Sequence, residues 1–144
     1  MGSWIELDAV YPPGALTPGA AFVIAHAHLH RVTRLYDDNG ALARFVPHPG
    51  RGLVPDRDLL DRAERYLTDV PFDAFLAEAR ALLNRDQLRC LALNLLDAVL
   101  SAGERPESHD RYRAIVEGLG VTADMIDPYR YGLVLKNDLS LFPQ

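Results

Sequence analysis

Between Leu88 and Leu100 nearly every residue is apolar, and such a stretch is accommodated by a helix that other helices surround. Leu88, Leu91, Ala92, Leu95 and Val99 recur at three- and four-residue steps on one face. Cys90, Leu93, Leu96 and Leu100 occupy another. The remaining polar seam is Asn94, Asp97 and Ser101. Asn84 with Gln87 three residues later has the form of a capping box, in which each side chain satisfies an unpaired backbone donor at the helix start. Gly103 is placed to end the helix in a left-handed conformation. A rod so apolar is expected to be central.

The same reasoning extracts further helices on either side. Thr17-Pro18 offers a cap and a first-turn proline, after which Phe22, Ala25, Leu29, Val32 and Tyr36 follow helical spacing, predicting a helix over 18–36. Leu59, Leu60, Ala63 and Leu67 form the apolar stripe of an amphipathic helix that opens at Asp56. Pro71 restarts the chain into a helix bearing Phe72, Phe75, Leu76, Ala79, Leu82 and Leu83. Beyond Gly103, Pro106 and Ser108 lead into a helix with Tyr112, Ile115, Val116 and Leu119, closed by Gly118 and Gly120. Thr122 then caps a short turn through Ile126, and Asp127-Pro128 opens a last helix to about Lys136. Leu139, Leu141 and Phe142 form an apolar tail.

Two segments resist this pattern. Tyr11-Pro12-Pro13-Gly14 breaks any helix before it grows, so residues 1–16 are expected as an extended arm. Residues 37–55 carry Gly40, Pro47, Pro49, Gly50, Gly52 and Pro55 around one apolar island, which reads as an inserted loop. A competing reading makes 28–46 a β-hairpin turning at Asn39-Gly40, with His26, His28 and His30 aligned on one face. The fold expected is all-α: one domain over 1–144, a compact bundle of about six or seven helices around the helix at 84–102.

Composition narrows the partners. Twenty Asp and Glu against fifteen Lys and Arg give a net charge of −5, and the arginines at 31, 34, 44, 51 and 57 form no basic stripe, so nucleic acid is not expected. No run of residues reaches the length of a membrane span, and the N-terminus lacks the pattern of a signal peptide. The single Cys90, expected as a buried thiol, has no internal disulfide partner; a reducing, cytoplasmic setting is expected.

Catalytic motifs are missing: the sequence has no Gly-x-Ser-x-Gly elbow and no phosphate-binding glycine loop. Asp37, Asp38, Asp56 and Asp58 are the candidate ligands for a divalent cation, since hard cations need several carboxylate oxygens brought together. The same residue types also cap helices and form turns. His26 and His30 share a helix face, as two metal ligands do, but lack a third ligand. Asp97 must find a partner among its apolar neighbours or lie on an exposed edge, and with Asn94 and Ser101 it forms the candidate partner-binding edge.

Residues 86–137, from Asp86-Gln87-Leu88 through Leu119-Gly120-Val121 to Leu135-Lys136-Asn137, resemble the second half of a TerB-like domain, the family named for tellurite resistance. Residues 18–68 resemble its first half more weakly, with Asp38-Asn39-Gly40 at the place of the first acidic turn. The resemblance implies an all-helical domain of two similar halves, and acidic turns implicated in binding divalent metal. The second turn departs from the pattern: Ala102 stands where the family has Asp, and the helix-opening Glu falls near His109. The function expected is therefore a non-catalytic accessory domain that binds a protein partner, a second copy of itself or a divalent cation, in bacterial tellurite or stress resistance. The alternative is a small metal-dependent enzyme using His26 and His30 with nearby carboxylates.

Overall fold

The computed structural model describes residues 10–32, 35 and 57–142, and all regular structure among them is helical. The α-helices are α1 (Pro18–Leu29), α2 (Arg57–Asp69), α3 (Phe72–Leu82), α4 (Arg85–Ser101), α5 (Asp110–Gly118) and α6 (Ala123–Asn137). Single 3-10 turns cover Pro106–Ser108 and Leu139–Leu141. The chain divides at Leu83/Asn84 into two compact units. The proposed insertion 37–55, the hairpin turn at Asn39-Gly40, and Asp37, Asp38 and Asp56 lie outside the described residues.

In the first unit α1 is the core element, with nine of its 12 residues buried. Its Gly19, Ala20, Ala21, Ala25 and Ala27 are small enough for α2 and α3 to pack closely against it. Val23, Ile24, Leu59, Leu60, Ala63, Phe75, Leu76 and Ala79 fill the interior together with Leu35. The expected start is present: Thr17 Oγ1 accepts a hydrogen bond from Ala20 N at 3.2 Å, and Pro18 follows in the first turn.

The end of α1 corrects the sequence reading. The helix stops at Leu29 rather than running to Tyr36, because Arg31 turns to φ 56°. Arg31 N then donates to His28 O and Val32 N to Ala27 O, the paired bonds of a Schellman closure. Nothing in the spacing of Val32 and Tyr36 signals this stop. The proposed arm also differs where it is described, since Ala15 N donates to Pro12 O across a turn in which Gly14 takes φ 82°.

In the second unit α4 forms as expected. Asn84 Oδ1 accepts from Gln87 N at 2.8 Å, and Gln87 Oε1 accepts from Asn84 N at 2.9 Å, completing the capping box. At the other end Gly103, at φ 75°, supplies the left-handed residue of a second Schellman closure. Leu91, Ala92, Leu95, Leu96 and Val99 are buried, chiefly against α6 and more narrowly against α5 and the Pro106 turn. Leu88, Leu93 and Leu100 are half-buried, and Cys90 is exposed rather than enclosed. The helix therefore buries a broad stripe, not its whole circumference.

Two further details depart from expectation. His109 caps α5 through Nδ1, which accepts from Tyr112 N at 3.1 Å. Pro128 does not open a new helix; it lies inside α6, which runs unbroken from Ala123. Its ring removes the N–H that would bond the Asp124 carbonyl one turn back. Packing of Met125 and Ile126, both buried, holds the preceding turn helical despite that loss.

Candidate functional site

The polar seam predicted on α4 splits in two. Asp97 meets the end of α6: Lys136 Nζ donates to its two carboxylate oxygens at 2.7 and 2.9 Å, and Asn137 Nδ2 donates to Oδ1 at 2.8 Å. Ser101 Oγ donates to Asp97 O at 2.7 Å and lies 3.0 Å from Asn137 Oδ1. Asn137 Nδ2 also reaches Leu133 O, which fixes the side chain against its own helix. Asn94 stays apart, turning back to Cys90 O at 2.8 Å and to Cys90 Sγ at 3.6 Å. Asp97 and Ser101 thus fasten two helices of one unit.

Burial gives that fastening its strength. The Asp97 side chain is 14% exposed, whereas Lys136 is 52% exposed, so the carboxylate is largely desolvated and the ammonium keeps much of its water. A carboxylate in that position is stabilised by the three hydrogen bonds it accepts from Lys136 and Asn137. Although Cys90 is exposed as a residue, partial desolvation pushes its thiol up from its usual pKa, with the Asn94 hydrogen bond acting in the opposite direction.

The outer side of α6 has the opposite character. Tyr131, Val134 and Leu135 point to solvent, and Leu139, Leu141 and Phe142 of the following turn continue the exposure. Tyr131 is 76%, Leu139 77% and Phe142 79% exposed. Spacings of three and four residues place Tyr131, Val134 and Leu135 on one helix face. Three of the four charged side chains of α6 are bonded within the same unit, Asp124 to Arg85 and Thr122, Arg130 to Glu107, and Lys136 to Asp97, while Asp127 is exposed. The sequence marks Leu139, Leu141 and Phe142 as an apolar tail, and the structure leaves them exposed. The absence of charge at Tyr131, Val134 and Leu135 was the available signal for an open face.

The histidines do not converge with carboxylates. His26 is buried, its Nδ1–H donates to Phe22 O at 2.8 Å, and its ring lies 4.6 Å from that of Phe22. His30 is exposed at the helix C-cap. His28 packs its ring against Phe72 at 4.7 Å and Phe75 at 5.3 Å. On the helix His28 points away from His26 and His30, and the three-histidine array of the hairpin reading is not formed.

Asp58 is exposed in the first turn of α2, where a carboxylate complements the helix dipole. It borders a cleft of about 340 Å³ together with Asp61, Arg62, Arg65, Tyr66 and Asp69. The Arg62 guanidinium there reaches Tyr11 O and Pro12 O, and the Tyr66 hydroxyl donates to Glu78. Burial and that carboxylate push the Tyr66 phenol well above its ordinary pKa. Both side chains are thereby committed to structure. Among the described residues no three His, Cys, Asp or Glu side chains come together as a metal site.

No helix among the described residues is long and apolar enough to cross a membrane. Compared with known proteins, the chain matches no family model, no curated protein and no solved structure.

Proposed function

We propose that this chain is a non-catalytic binding protein whose contact face is the open apolar side of α6 and the Leu139–Leu141 turn, and whose occupant is a second copy of the chain. The observation that carries the reading is the run of exposed Tyr131, Val134, Leu135, Leu139, Leu141 and Phe142. Large apolar side chains grouped on a surface favour association, because pairing removes them from water at about 25 cal/mol per Å². The six side chains of the run carry no charge of their own, so the patch favours an apolar partner surface. A two-fold axis, the commonest symmetry of self-association, would bring this patch of one copy against the same patch of another.

The resemblance of residues 86–137 to TerB-like domains supports the same non-catalytic role and suggests an accessory function in tellurite or stress resistance. Sedimentation or light scattering of the full chain at tens of micromolar tests the proposal. A dimer is expected, and L135E/L139E should be monomeric with an unchanged helical circular dichroism spectrum. Wild-type protein that stays monomeric at several hundred micromolar overturns it, as does a dimer that the double variant leaves intact.

A further inference from the structure

We infer that His26 makes the first unit of this chain acid-labile: protonating its enclosed ring loosens α1 and the helices packed on it, while α4, α5 and α6 keep their protection. His26 is 2% exposed and sits on the helix that supplies the core of that unit. Its Nδ1–H is satisfied by Phe22 O. Its Nε2 is buried and has no hydrogen-bond partner among the described residues. A neutral ring leaves only a lone pair there. A protonated ring places a second N–H and a full charge where, among the described residues, no acceptor stands.

Among the described residues the charged form gains only the Phe22 carbonyl at Nδ1, and desolvation outweighs it. His30, one turn further along α1, is the titratable group that acts on His26, and its charge has the same sign. His28 on the same helix faces the Phe72 and Phe75 rings. From α2 and α3 no carboxylate contributes at His26, and Glu78 of α3 is engaged by the Tyr66 hydroxyl. The second unit is built differently. Its histidine, His109, is placed at a helix start rather than inside a core helix, with Nε2 3.3 Å from Glu104 and Nδ1 accepting from Tyr112 N.

Desolvation holds the His26 pKa down to about 4, against an ordinary value of 6.5. The unfolded chain therefore binds a proton that the folded chain refuses between those two values. Stability falls with pH through that window, is complete above about 6.5, and levels off below about 4. The difference corresponds to roughly a 300-fold rise in the opening equilibrium across the window, at about tenfold per pH unit.

Residue-resolved amide exchange of the full chain from pH 7 to pH 4.5, corrected for intrinsic exchange, tests this inference, alongside the ring signals of His26. Protection in α1, α2 and α3 should fall by about tenfold per pH unit below about pH 6, with little change in α4, α5 and α6. H26Q, which keeps an N–H donor but does not titrate, should flatten that slope. A slope unchanged in H26Q overturns the inference, and an equal loss in α4 to α6 overturns its restriction to the first unit. If H26Q does not fold, the wild-type ring decides: silence down to about pH 4.5 supports the inference, and titration near 6.5 in the folded chain overturns it.

Discussion

Lys136, in the last turn of α6, closes on Asp97 of α4 with its ammonium 2.7 Å from one carboxylate oxygen and 2.9 Å from the other. The two residues stand 39 positions apart, so the pair records the packing of one helix on another rather than any local preference. Its location also suits Lys136, since a cation near a helix C-terminus faces the negative end of the dipole.

Removing the two partners should have unequal effects. D97A strips a desolvated acceptor from Lys136, Asn137 and the seam, and should lower stability by about 1–2 kcal/mol. K136M should cost at most about 1 kcal/mol, because the exposed ammonium is screened by solvent and Asn137 still serves the carboxylate. Urea unfolding of both variants checks the order, and K136M more damaging than D97A would contradict it.

Arg31 holds a left-handed conformation, at φ 56°, that glycine adopts without strain. R31G should therefore stabilise the chain by about 1 kcal/mol, read as a rise in thermal midpoint. G103A should do the reverse by a similar amount: a methyl group there meets nothing within 4 Å, so only the backbone conformation at φ 75° opposes it.

The α4 capping box invites a graded test. N84A removes the acceptor for Gln87 N and should cost about 1 kcal/mol, while N84S should recover most of it. Equal stability of N84A and wild type would show that tertiary packing alone sets the start of α4.

Pro128 is exposed within α6, so its replacement disturbs no core contact. P128A restores the N–H that bonds the Asp124 carbonyl, and should raise stability by about 1–3 kcal/mol. The unfolding midpoint reports it. A fall would mean that proline's restriction of the unfolded chain outweighs the restored bond.

Much of the helical plan was legible in residue order. Leu91, Leu95 and Val99 announced the buried stripe of α4, Asn84 with Gln87 its start and Gly103 its end. Thr17-Pro18 located the start of α1 just as directly. The extent of α1 was not legible, because Arg31 takes a role usually given to glycine. The candidate site was legible only as a list of polar or apolar positions. Asp97 needed a partner on chemical grounds, yet no spacing pointed to Lys136.

The sequence by itself determined helix type, the caps of α1 and α4, and which positions are apolar, since these depend on contacts within about four residues along the chain. Tertiary structure alone decided that α6 runs through Pro128, that His26 is enclosed while Cys90 is open, that Asp97 is fastened, and that the outer face of α6 stays bare. Each of those outcomes depends on which surfaces meet after the helices form. Periodicity marks a face as apolar; only packing selects the apolar faces that leave water.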